Sequence, residues 1–168
     1  MQNFGGETIL SFAYTDDGYL SSRTDKAGET CLIYNSFGEL ESVELPSGEI
    51  ITYRHDVLGK RCERAVNGDV THRYLWVGGS LLAVYDGSDE LKMRFEYVDS
   101  RVPVAVWVYE GGLATRYFIA ADQVGSIRAV FDEAGTVVKA IEYDSFGYVL
   151  NTDFRDKPNP HNFPLITS

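Results

Sequence analysis

Two cysteines, two methionines, two tryptophans and three histidines are all that this chain of 168 residues holds of those types. Cys31 and Cys62 stand at no metal-ligand spacing from His55, His72 or His161, so no metal motif is present. A Cys31–Cys62 disulfide and two free thiols are both compatible with the pair, because free cysteine packs as a small hydrophobe. Positive charge is also scarce: 15 Lys and Arg against 25 Asp and Glu leave a net charge of −10. A chain so poor in cations lacks the basic surface that phosphate recognition needs, which argues against nucleic acid as a partner. Long apolar runs are missing too. The longest, Val102 to Tyr109, is too short to cross a bilayer and contains Pro103. The opening Met1-Gln-Asn-Phe-Gly-Gly-Glu7 has neither the basic nor the apolar region of a signal peptide. In a piece of a longer polypeptide that absence would carry no weight.

What the chain does have is glycine, aromatic residues and a period. There are 16 Gly, 11 Tyr and 9 Phe, and the 44% hydrophobic content excludes a disordered tail. Gly18, Gly28, Gly38, Gly48, Gly59 and Gly68 follow at steps of 10, 10, 10, 11 and 9, and Gly125, Gly135 and Gly147 resume the pattern. Turn signals at this spacing mark short antiparallel strands. Two kinds of turn alternate. In one, an aromatic residue or His precedes a short polar residue, two further residues and Gly. Its copies are Tyr14-Thr-Asp-Asp-Gly18, Tyr34-Asn-Ser-Phe-Gly38, His55-Asp56-Val-Leu-Gly59 and Tyr143-Asp144-Ser-Phe-Gly147, with Ala121-Asp122-Gln-Val-Gly125 a degenerate copy. The other is shorter: Lys26-Ala-Gly28, Pro46-Ser-Gly48, Val66-Asn-Gly68 and Glu133-Ala-Gly135. Asp or Asn opens such a turn by accepting backbone hydrogen bonds, and Gly closes it.

The segments between turns read as strands. Lys92 to Tyr97 alternates strictly, putting Met93, Phe95 and Tyr97 on a core face and Lys92, Arg94 and Glu96 towards water. Glu49–Tyr53, Arg73–Val77, Leu81–Tyr85 and Ser126–Phe131 are further strands, and Val104–Tyr109, apolar on both faces, predicts a central one. No stretch has a helical period. The expected fold is all-β: a meander of short antiparallel hairpins forming a curved, twisted sheet. Residues 1–72 and 73–150 are continuous stretches of it, and residues 151–168, with three prolines, an irregular tail.

Catalytic and binding chemistry compete poorly with turn chemistry in these residues. Asp16-Asp17, Asp86 and Asp89-Glu90 match no calcium loop. Asp122, Asp132 and Asp144 all sit in turn units and read as turn residues, not as paired catalytic carboxylates. Ser36, Ser126 and Ser145 lack an elbow motif and a base placed by motif, and no phosphate-binding glycine loop occurs. His55 fills a tyrosine slot and reads as a packing residue; His72 and His161 read as surface residues. Tyr19, Tyr85, Trp107, Tyr109 and Tyr148 could stack on sugar rings, though cross-strand packing is the reading favoured. No cofactor is expected.

Tyr-Asp-x-x-Gly units at roughly twenty-residue spacing resemble the YD repeats of the RHS and teneurin families. His55-Asp-Val-Leu-Gly-Lys-Arg61, Tyr74-Leu-Trp76 and Leu81-Leu-Ala-Val-Tyr85 resemble the start of the RHS-associated core. Asp122-Gln-Val-Gly-Ser-Ile-Arg128 and Tyr143-Asp-Ser-Phe-Gly147 resemble its later segments. The resemblance covers most of residues 10–150. It implies a section of a β-shell in which a long strip of hairpins encloses or presents another polypeptide, such as a toxin domain, in a secreted or cell-surface protein. The family's self-cleavage segment, with its Asp-Pro dipeptide, has no counterpart here: the chain contains no Asp-Pro. The resemblance thus implies a non-enzymatic wall whose partner is the rest of an RHS-type polypeptide or its cargo, and whose cut edges favour self-association. The alternatives are a carbohydrate- or surface-binding module and part of a self-cleaving core enzyme.

Overall fold

The computed structural model describes residues 3–4, 7–8, 10–99, 102–143 and 149–151. Among them every regular element is a strand. Two short hairpins, β1 (Asn3–Phe4) with β2 (Glu7–Thr8) and β16 (Glu142–Tyr143) with β17 (Val149–Asn151), stand beside one antiparallel sheet of thirteen strands. In chain order these are β3 (Ser11–Tyr14), β4 (Leu20–Asp25), β5 (Gly28–Tyr34), β6 (Leu40–Glu44), β7 (Ile50–His55), β8 (Arg61–Val66), β9 (Asp69–Val77), β10 (Ser80–Asp86), β11 (Leu91–Tyr97), β12 (Pro103–Glu110), β13 (Leu113–Ala121), β14 (Ile127–Phe131) and β15 (Val137–Ala140). Sheet order equals chain order, so the all-β meander expected from the glycine period is the fold. Two compact units, residues 1–92 and 93–168, divide it within β11.

In the second unit β12 lies between β11 and β13, as a segment apolar on both faces should. Met93 and Phe95 are buried opposite Val108 and Val106, and Val106 is also opposite Tyr117. Ile119 faces Val130, which in turn faces the buried Lys139. Burial pushes the Lys139 ammonium below its ordinary pKa.

The opposite face of β12 corrects the sequence reading. Ala105 is fully buried although it points away from Val106. Its cross-strand partners are Glu96 and Phe118. The Glu96 carboxylate accepts hydrogen bonds from the Trp107 indole and from Arg116, whose guanidinium sits 4.9 Å from the centre of the Phe118 ring. Glu96, expected to face water alone, is the hub of this cluster.

In the first unit Ala65, Leu81, Ala83 and Val84 are buried. Around them the packing is mixed. Arg64, His72, Tyr74 and Val84 share one face through the pairings Arg64–His72 and Val84–Tyr74. The other face carries an ion ladder in which Glu63 meets Arg54 at 3.6 Å and Arg73 at 3.4 Å, and Arg73 reaches Asp89 at 2.6 Å. His72 is therefore half-buried and not the surface residue its isolation in the sequence suggested. Its Nδ1 lies 3.0 Å from the Thr71 hydroxyl and its ring is stacked on Tyr74. Cys31 and Cys62 are both free thiols, and the Cys62 thiol points at the Arg54 carbonyl at 3.4 Å.

Replacing Phe95, only 6% exposed, by Ala should lower stability by about 3–5 kcal/mol in urea unfolding. Val57→Ser, at a fully exposed turn position, should stay within about 0.5 kcal/mol. Equal losses at the two positions would show that the core lies elsewhere.

Acid should weaken the fold in two stages. Burial, and then Arg64, lower the His72 pKa. The unfolded chain thus takes up its proton first, and stability falls as pH drops below the ordinary histidine value of about 6.5. Glu96 is held below its ordinary value by the hydrogen bonds of Trp107 and Arg116. Its contribution is present above the ordinary carboxylate range and is lost as pH falls through its own lowered pKa. Urea midpoints measured across pH should show both limbs, and Glu96→Gln should flatten only the lower one.

Candidate functional site: a row of capped turns

A tight turn strips strand partners from the backbone N–H groups at its exit, and a short side-chain acceptor can replace them. That is what the predicted motif does. Asp56 Oδ1 accepts from the amides of Leu58 at 2.8 Å and Lys60 at 2.9 Å. Asn35 does the same for Phe37 and Glu39, and Asp122 for Val124 and Ser126. Thr15, one atom shorter in reach, bonds only Tyr19 N, at 3.0 Å. Each turn adds the backbone pair in which the capping residue's carbonyl accepts from Gly and its amide donates to the carbonyl after Gly. Gly18, Gly38, Gly59 and Gly125 share φ between 73° and 92°, a left-handed conformation in which a Cβ is strained. Gly147 and Asp144, expected to match them, lie outside the described residues, as do Tyr148, Ser145 and His161.

The division into two turn kinds needs one correction. Lys26-Ala27 and Asn67-Gly68 are two-residue turns, joined by Gly78-Gly79 and Gly111-Gly112. The Pro46 and Glu133 turns instead take the four-residue form, with Gly48 N bonded to Leu45 O and Gly135 N to Asp132 O. At the second the reason is Asp132, which precedes the segment read as the motif and caps Ala134 and Thr136. Asp86, weighed by sequence as a calcium ligand, is another such cap, accepting from Ser88 and Glu90 with Asp89 in the glycine role at φ 64°. The Lys92 ammonium beside it, and the Glu90 amide, lower its pKa.

The aromatic slot and the residue after glycine interlock across neighbouring repeats. Tyr19 follows Gly18; its ring stacks on Tyr34 at 5.0 Å and its hydroxyl fills the space a Cβ on Gly38 would need. Glu39 follows Gly38; it accepts from Asn35 at 2.8 Å, lies 3.8 Å from His55, and would stand 2.9 Å from a Cβ on Gly59. Lys60 follows Gly59, and its ammonium sits 5.3 Å from the centre of the Trp76 ring. In the second unit Arg128 bonds Asp122 at 2.7 Å and lies 5.0 Å from the ring centre of Tyr143, whose hydroxyl donates to Ile127 O. Partial desolvation works against the charged Asp122, but Arg128 and the Ser126 and Val124 amides prevail and lower its pKa. Tyr14, the first slot, is 63% exposed. This interlock was not read from the sequence, although the step from each glycine to the next slot could have revealed it. Among the described residues no cluster of three His, Cys, Asp or Glu could hold a metal ion.

The family model for the teneurin YD-shell matches residues 2–157. The chain belongs to that family. Among curated proteins it is 30% identical to the tRNA nuclease WapA of Bacillus subtilis (strain 168), over 67% of this chain and 5% of that protein. It is 27% identical to the tRNA3(Ser)-specific nuclease WapA of Bacillus spizizenii, again over 67% of this chain and 5% of that one. The chain thus spans a small fraction of the relatives it matches. Among solved structures it is similar to the TcdB2–TccC3 crystal structure, with a TM-score of 0.52 and 15% identity over 82% of this chain and 9% of that one. That likeness is one of fold.

Asp56→Ala should cost about 1–2 kcal/mol in urea unfolding, while Asp56→Asn, which keeps the acceptor, should keep most of the stability. Gly59→Ala should cost about 1–3 kcal/mol from its φ of 73°. Glu39→Ala should return only the smaller part of that loss that comes from crowding.

Proposed function

We propose that this chain is a stretch of structural wall in a YD shell, without chemistry of its own, that helps to enclose or present another part of a longer secreted or cell-surface polypeptide. The observation that carries the reading is the interlock itself. Capped turns recur at one end of successive hairpins, and each hands a side chain to the next, as a wall built by repetition requires. The repeat residues are occupied in this work: Asp56 and Asp122 cap turns, and His55 packs beside Glu39. Trp107, a candidate sugar platform by sequence, gives its N–H to Glu96. The tRNA nuclease activity in the names of the WapA proteins belongs to proteins of which the chain matches 5%.

β3 and β15 are each paired on one side among the described strands, and such edges recruit further strands. In the full polypeptide its own neighbouring segments would fill them. Light scattering on the isolated chain should therefore detect oligomers that dissociate on dilution, and intact-mass measurement over days should show no specific scission. A dilution-resistant monomer with one sharp melt would identify a self-contained domain and defeat the wall reading. Site-specific self-cleavage would defeat the non-enzymatic one.

A further inference from the structure

Two rungs of the interlock close on a cation over a ring. Lys60 stands over Trp76, and Arg128 over Tyr143. At the first rung the residue after glycine is itself aromatic, and Tyr19 stacks on Tyr34 with no cation over either ring among the described residues. An open cleft of about 630 Å³ lies there, lined by Thr15, Asp17, Tyr19, Tyr34, Ser36 and Phe37 among others. Phe37 is 86% exposed at the tip of its turn, the position where other copies carry the exposed aliphatic residues Leu58 and Val124. Asp17 lines the same cleft and is ion-paired with no described residue.

We infer that this cleft binds a cationic side chain, arginine foremost, of a partner polypeptide. Three aromatic rings beside a carboxylate match a guanidinium on two counts. The ring faces attract its delocalised charge, and the carboxylate accepts its N–H fork. The chain's net charge of −10 favours a cationic partner over an anionic one. The same molecule places Arg61 at 4.1 Å over Tyr53 and Arg116 at 4.9 Å over Phe118, so guanidinium over an aromatic ring is a contact it already makes elsewhere. A sugar would also stack on exposed rings and find the Tyr19, Tyr34 and Ser36 hydroxyls in the cleft, but it is neutral and gains nothing from the chain's excess negative charge. The inference stands whether or not the chain forms a shell wall.

The test is an NMR titration of the whole chain, observing the Tyr and Phe ring resonances. The probes are N-acetyl-arginine methylamide, its citrulline analogue, which is neutral and nearly isosteric, and methyl glucoside. The arginine probe should shift the Tyr19 and Phe37 resonances with an affinity on the order of millimolar, and the citrulline probe should bind about fivefold more weakly or worse. Asp17→Asn and Phe37→Ser, both at exposed turn positions, should each weaken arginine binding about threefold while leaving the melting temperature unchanged. Tyr19→Lys should place a cation over Tyr34 from within the chain and abolish binding of the added one. Equal binding of the arginine and citrulline probes would overturn the proposal. So would arginine binding that Asp17→Asn leaves intact, or glucoside binding in preference to arginine.

Discussion

A sheet that reverses every ten residues generates stranded amide groups faster than its strands can pair them. The fold therefore depends on one local bond pattern, a single side-chain oxygen that collects the two N–H groups leaving the turn while a left-handed residue closes it. Asp56, Asp86, Asp122 and Asp132 do this with a carboxylate and Asn35 with an amide. Without it each reversal would leave its exit donors to water and forgo the net gain of about 0.5–1.5 kcal/mol that each such bond supplies.

The second requirement is lateral. A lone hairpin is marginal in water, and this sheet buries few large side chains completely. Coupling between turns supplies part of what a thick core would. Tyr19, Glu39 and Lys60 occupy one position in successive repeats, and each reaches the slot of the next repeat by a different force: stacking, a hydrogen-bonded carboxylate, and a cation over a ring. The geometry is held while the chemistry varies. Across β11, β12 and β13 the Glu96–Trp107–Arg116 cluster ties neighbouring strands in the same way, through polar contacts of amphipathic side chains.

Turns and strands were legible in the sequence because both are set locally. Asp followed by Gly three residues on marks this turn at Asp56, Asp122 and Asp132, though Asp25 and Gly28 flank a two-residue turn, and strict alternation over Lys92–Tyr97 places Met93 and Phe95 correctly. Failures occurred where a partner two strands away decides the outcome. Glu96 looks like a solvent residue until register brings Trp107 and Arg116 beside it, and His72 looks isolated until pairing places Arg64 opposite. The Glu133 turn was grouped with the short kind for a smaller reason: Asp132 read as a turn residue, but its capping of Ala134 and Thr136 makes Glu133-Ala-Gly135 the end of a longer turn. Tyr14 fits the motif as well as Tyr34 does, yet only Tyr34 is stacked on a ring contributed by the preceding repeat, which nothing inside its own five residues discloses.

Every strand in the large sheet neighbours the strands next to it in the chain. The loops that must close are thus short, and each closure costs little entropy. Such a topology has low contact order and can start from any hairpin and grow by zipping on the next. During synthesis, where the chain emerges N-terminal end first, zipping can keep pace with the ribosome. Any segment that follows in a longer polypeptide would then emerge beside strands already paired and would have to fold in their presence.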